Sequence, residues 1–111
     1  MPYIRTMPTR FAPLSPDTVR RYLDIAADQD VSRVARSRSG FTTAYLRAGS
    51  LADMGTDADG TPWAAKRIAF LTRNVARMVE TKEYYFNEDG TPTRRHLALI
   101  MWAWSPEPSK L

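Results

Sequence analysis

TPWAAKRIAFLTRNVARMVET, residues 61–81, is the stretch from which the fold is read. At about 100° per residue, Ala64, Ile68, Leu71, Val75, Met78 and Val79 share one face of a helix. Thr61-Pro62 precede it as a cap followed by a proline, whose fixed φ and missing N–H suit a first helical turn. The spacing therefore predicts a helix over 62–80, ending near Thr81.

Toward the C-terminus, Glu83 to Phe86 reads as a short strand or an apolar loop anchor. Asn87-Glu88-Asp89-Gly90 is a turn. Thr91-Pro92 starts a last helix, and its run Leu97 to Trp104 is apolar on every side, which marks a buried central helix over 92–104. Ser105-Pro106 stops it. Asp-Gly-Thr-Pro occurs at 59–62 and again at 89–92, but the residues that follow differ, so it reads as one helix-start signal used twice rather than an internal repeat.

Toward the N-terminus, residues 49–60 are rich in Gly and Asp and form a loop, with Leu51 and Met54 turned inward. Phe41, Ala44, Tyr45 and Ala48 have helical spacing, and Gly49 is placed to end that helix. A shorter segment holds Val31, Val34 and Ala35, capped by Asp30 or Ser32 and interrupted by Ser37 to Gly40. Ser15, Pro16 and Asp17 start a first helix, with Val19, Tyr22, Leu23 and Ala26 as its stripe, fading at Asp28–Asp30. The expected fold is all-α: a compact bundle of four to five helices, with 62–80 and 16–27 packed on the buried C-terminal helix. There is room for one short hairpin or strand near 83–91. Residues 1–14 read as an extended arm, 15–106 as a single helical domain and 107–111 as a tail.

Composition narrows the chemistry. At 111 residues and 43% hydrophobic content the chain can fill one core unaided. It has no cysteine, which excludes disulfides, thiolate metal sites and cysteine nucleophiles. No apolar run reaches the ~20 residues of a membrane span, and Met1 to Arg5 lacks a signal-peptide core, so a cytoplasmic protein is expected. Neither Gly60 nor Gly90 sits in a calcium loop, because Lys66 and His96 occupy the position of the bidentate Glu. His96 is the only histidine, and Arg94 and Arg95 beside it would hold its pKa down. It reads as a capping or surface residue. No phosphate-binding Gly loop is present. The expectation is a non-enzyme with no metal and no cofactor.

Charge is the remaining lead. The net charge is +4, carried by thirteen Arg against three Lys. Residues 31–52 hold Arg33, Arg36, Arg38 and Arg47 without an acid, and 60–79 hold Lys66, Arg67, Arg73 and Arg77 without one. On the helix wheel Lys66, Arg73 and Arg77 lie within about 40°, with Phe70 among them and Trp63 and Asn74 flanking. Arg94 and Arg95 sit in a first helical turn, where either an anion or the upstream Glu88 and Asp89 would balance them. Val31 to Ala48 partly matches a helix-turn-helix, which would present Thr42, Thr43 and Arg47 to a major groove.

These features point to a small basic nucleic-acid-binding or regulatory module. It would meet backbone phosphate through Arg33, Arg36, Arg38, Lys66, Arg73, Arg77, Arg94 and Arg95. The competing expectation is an adaptor or inhibitor docking on an acidic protein surface, anchored by Phe70, Trp63 and Tyr84–Phe86.

Overall fold

Ser15 opens the helical part of the chain as its chemistry requires. Its hydroxyl accepts the Thr18 N–H at 3.2 Å, and Pro16 occupies the first helical position. In the computed structural model, which describes residues 11–111, two short helices follow, α1 (Pro16–Arg21) and α2 (Leu23–Asp28). They form nearly one helix. At Tyr22 the ladder tightens to an i→i−3 bond to Val19, then resumes with Ala26 N–H on the Tyr22 carbonyl. Val19 and Ala26 are fully buried, as the stripe requires.

The chain continues through α3 (Arg33–Arg36), α4 (Phe41–Ala48), α5 (Trp63–Thr81), α6 (Arg94–Ile100) and a 3-10 turn at Pro108–Lys110. The architecture is all-α. Gly40 joins α3 to α4 at close quarters, because a Cβ there would run into the backbone carbonyls of Val34 and Ala35. Gly49 ends α4 in the left-handed region at φ +84°, returning its N–H to Tyr45.

Helix α6 lies between two apolar clusters. Leu97, Ile100 and Met101 join Val19, Phe41, Tyr45 and Trp63 on one side. Leu99 joins Leu71, Val75, Met78, Tyr85, Phe86 and Trp104 on the other. Trp102 packs against both, its ring stacked on Phe41 at 4.7 Å and on Phe70 at 4.4 Å. The C-terminal helix is thus central, but it is shorter than 92–104. Trp104 N–H bonds Leu99 C=O at 3.1 Å, Ala103 N–H bonds Ile100 C=O at 2.8 Å, and Ala103 takes φ +62°. That pair of bonds is a Schellman closure with alanine at the position glycine usually fills. An apolar run shows that a segment is buried without showing that it stays helical.

Helix α5 has the expected bounds and a rotated face. Trp63, Arg67, Leu71, Val75 and Met78 are buried, whereas Ala64 is exposed and Ile68 is 55% exposed. The helix turns Arg67 inward, where its guanidinium meets carbonyls of the 102–103 turn. Residues 83–86 form no strand. Tyr85 and Phe86 are core, and Tyr84 is outside it.

The two Asp-Gly-Thr-Pro segments share more than a start signal. Asp57 N–H bonds Thr61 C=O and Asn87 N–H bonds Thr91 C=O; Gly60 bonds Asp57 and Gly90 bonds Asn87; Trp63 bonds Gly55 and Thr93 bonds Tyr85. Isolated bridges pair Thr56 with Pro62 and Phe86 with Pro92. Each segment is therefore a closed turn whose proline lies in the bridge, not in the helix. The caps are shifted accordingly, with α6 capped by the Thr93 hydroxyl on the His96 N–H.

Of the expected arm, residues 1–10 lie outside the described residues. Residues 11–14 have no regular secondary structure, and Leu14 is buried. The expected tail 107–111 contains the 3-10 turn, and Leu111 packs against both clusters. Among the described residues no helix is long and apolar enough to cross a membrane.

Candidate anion-binding cleft

Most of the cations read as one positive face are engaged separately. Arg33 makes a two-bond fork on Asp30, at 3.1 and 2.6 Å. That hydrogen-bonded fork is the largest influence holding the Asp30 carboxyl below its usual range. Arg36 donates to the Val31 carbonyl at 2.7 Å and lies 3.6 Å from the same Asp30. Arg94 caps the end of α2 by donating to the Gln29 and Asp30 carbonyls. Arg95 pairs with Glu83 at 3.3 Å, so the acid facing it is neither Glu88 nor Asp89. Lys66 bonds Asp57 at 2.5 Å and lies over the Trp63 ring. Arg33, Arg36, Lys66, Arg94 and Arg95 are therefore components of local structure rather than an open positive surface.

The helix-turn-helix expectation is also corrected. Helix α3 has only four residues. The first turn of α4 docks on the end of α6, where the Thr42 hydroxyl, 1% exposed, bonds Met101 C=O at 2.7 Å. Thr43 bonds the Arg36 carbonyl at 3.0 Å. Of the three residues assigned to a groove, Arg47 alone is exposed. The adaptor anchors fare similarly. Trp63, Tyr85 and Phe86 are core and Phe70 is half-buried on Trp102 rather than displayed among cations, while Tyr84 alone of the set is exposed.

Four nominated cations make neither an ion pair nor a side-chain hydrogen bond among the described residues: Arg38, Arg47, Arg73 and Arg77. Arg73 and Arg77 stand one turn apart on α5 beside Glu80 and Thr81, and Arg77 also lies in the field of Glu83. Arg38 and Arg47 border one cleft of about 410 Å³. Its first wall is the turn between α3 and α4 with the outer side of α4, bringing Arg38, Ser39, Ala44, Arg47 and Ala48. Its second wall is the 53–58 loop with Trp63 beneath. Gly40 sets the first wall, since only a residue without a Cβ lets the Arg38–Ser39 turn lie this close to α3.

The two carboxylates of the second wall differ. Asp57 is held below the usual carboxylate range, first by Lys66 and then by the Thr61 and Asp59 N–H groups, which its Oδ1 accepts at 2.9 Å each. Among the described residues Asp53 accepts only the Ser50 hydroxyl, at 2.8 Å. Neither pairs with Arg38 or Arg47. Among the described residues the cleft therefore has two arginines without an ion pair on one wall and, in Asp53, one carboxylate without an ion pair on the other. Asp53 and Met54 carry no motif, and their role is visible only once the loop folds against α4.

His96 forms the other polar constellation, and it is neither a cap nor a surface residue. It is fully buried, with Nδ1 donating to Tyr85 C=O at 2.6 Å, since a carbonyl can only accept. Nε2 then accepts the Ser105 hydroxyl at 2.8 Å, and Ser105 Oγ accepts the Glu107 N–H at 3.2 Å. Burial, not the neighbouring arginines, pushes its pKa down to about 4. The Ser105–His96 pair has the connectivity of a nucleophile and base. With Ser105 3% exposed and His96 wholly enclosed, however, no substrate reaches either. The arrangement ties the 105–107 segment to the 85 turn. No protein-family model, curated protein or solved structure matches the chain.

Proposed function

We propose that the protein is a small nucleic-acid-binding or regulatory module that contacts backbone phosphate through Arg38, Arg47, Arg73 and Arg77. One observation supports this narrowed set: these four arginines make no ion pair or side-chain hydrogen bond among the described residues, while each of the other nominated cations is held by an acid or a backbone carbonyl. A guanidinium without a carboxylate keeps its full charge and its planar fork of donors for a phosphate. Arg73 and Arg77 add a second contact point along α5, about one 5.4 Å turn apart.

The test is fluorescence anisotropy with labelled duplex and single strand across a salt series. The logarithm of affinity should fall linearly with the logarithm of salt, by about 0.7–0.9 per phosphate neutralised. Replacing all four arginines with alanine should flatten that dependence, whereas Arg33→Ala and Arg94→Ala should leave the slope in place. A quadruple variant that binds with an undiminished slope would remove the reading.

A further inference from the structure

The Arg38–Arg47 cleft takes its two walls from separate parts of the chain, whereas the hollow of about 370 Å³ beside Arg73 and Arg77 is lined by α5 alone and already contains Glu80. The cleft's volume of about 410 Å³ falls in the ~300–1,000 Å³ range of small-ligand pockets. Arg38 and Arg47 both line the α4 side, and the apolar part of the lining is Ala44, Ala48, Met54, Ala58 and Trp63. On the loop wall Asp57 is already balanced by Lys66, which leaves Asp53 as the unpaired negative charge.

This distribution discriminates among phosphates. A strand running through the cleft would bring one singly charged diester per nucleotide past both walls, and Asp53 would repel the second. A phosphate monoester carries a charge of about −1.5 to −2 at neutral pH and offers three acceptor oxygens. One such group satisfies two guanidinia at once. The neutral sugar attached to it can then lie over Ala44, Ala48 and Met54, presenting hydroxyls instead of charge to Asp53.

We propose that the cleft between α4 and the 53–58 loop binds the phosphate monoester of a nucleotide, held by Arg38 and Arg47, as the terminus of a strand or as a free mononucleotide. This rests on the phosphate-contacting reading above and, at Arg38 and Arg47, replaces contact with the running backbone by contact with one monoester group, leaving Arg73 and Arg77 to the backbone.

The experiment measures anisotropy of one single-stranded sequence in three forms: 5′-phosphorylated, 3′-phosphorylated and hydroxyl at both ends. Adenosine 5′-monophosphate and adenosine serve as unlabelled competitors. A phosphorylated end should raise affinity at least tenfold over the hydroxyl form. The gain should vanish in Arg38→Ala/Arg47→Ala and persist in Arg73→Ala/Arg77→Ala. Adenosine monophosphate that competes where adenosine does not, with all three strands bound alike, also supports the proposal and assigns the site to free nucleotide. Strands bound equally, with neither competitor effective, overturn the cleft proposal, and a steep salt dependence in that case leaves the broader phosphate reading intact. A phosphate preference that survives loss of both cleft arginines overturns it as well. If no strand binds, titration calorimetry reads adenosine monophosphate directly: binding that is lost in Arg38→Ala/Arg47→Ala leaves the cleft standing while the strand reading falls, and no binding overturns the cleft as well. Circular dichroism of each variant separates lost binding from lost folding.

Discussion

Arg67 and the pair Arg38–Arg47 put the same side chain in opposite surroundings. Arg67 is 3% exposed and gives its guanidinium to three carbonyls, those of Phe11, Trp102 and Ala103, at 2.8–2.9 Å. Burial pushes its pKa down to about 10, which still leaves it charged at neutral pH. Arg38 and Arg47 are exposed and make no ion pair among the described residues. A buried guanidinium is costly to desolvate, so the fold surrounds it with acceptors and it becomes a bolt between α5, the 102–103 turn and the segment entering at Phe11. An exposed guanidinium without an acid contributes little to stability, so its charge is available to a ligand. Arginine count is thus a poor guide to binding, and the disposition of each guanidinium decides its part.

The sharpest way to break the contrast is Arg67→Met, which fills similar space without donors. Phe11 and Trp102 carbonyls would lose their donor, while Ala103 C=O would keep the Leu14 N–H. At ~1–3 kcal/mol per stranded acceptor the loss should approach about 4 kcal/mol in urea unfolding. A loss below about 1 kcal/mol would show that Arg67 is no bolt.

Acid probes the interior from another side. His96 has a folded-state pKa near 4 against an ordinary 6.5, so between those values the unfolded chain binds more protons. Stability is therefore complete above pH 6.5, declines as pH falls toward 4, and has lost roughly 3 kcal/mol there from this group. Unfolding measured across that window should show the decline, and His96→Phe should flatten it. An unchanged slope would mean another group titrates.

Gly40→Ala stands between the two regions. Its methyl meets backbone carbonyls that can only move by shifting the α3–α4 turn, a strain of about 1–3 kcal/mol. The variant should also lose much of the phosphate-end preference, because Arg38 moves with that turn. Stability unaltered within error would contradict the close approach.

The smallest stability effect belongs to Arg38→Ala/Arg47→Ala, expected within about 0.5 kcal/mol of the parent in the same urea assay. Destabilisation above about 1 kcal/mol would place these side chains in the fold and count against a binding role.

What could be read from residue order follows from these contrasts. Helix positions for 16–28, 41–48 and 63–81 are legible because the Ser15 cap, Gly49 and periodic apolar residues act locally. The face of α5 was misread because Ile68 looks more apolar than Arg67. Yet Arg67 lies four residues from both Trp63 and Leu71, a spacing that signals the true interior side. The end of α6 was misread because a Schellman closure at Ala103 carries no glycine to announce it. His96 was misplaced because its partners, Tyr85 C=O and Ser105, come from beyond its own helix. Of the site, Arg38 and Arg47 stand among the many cations that sequence offers, and residue order cannot sort them. Pairing with Asp30, Asp57 and Glu83 depends on which loop folds back on which helix, and that is set by the core rather than by charge.

The salt dependence of strand binding tests the central claim most directly, compared between Arg38→Ala/Arg47→Ala and Arg33→Ala/Arg94→Ala. Arg38→Ala/Arg47→Ala should lower the log–log slope by about 0.7–0.9 if the two hold one phosphate and about 1.4–1.8 if each holds its own, and Arg33→Ala/Arg94→Ala should leave it unchanged. Equal slopes for both pairs, or a loss confined to Arg33 and Arg94, would contradict it.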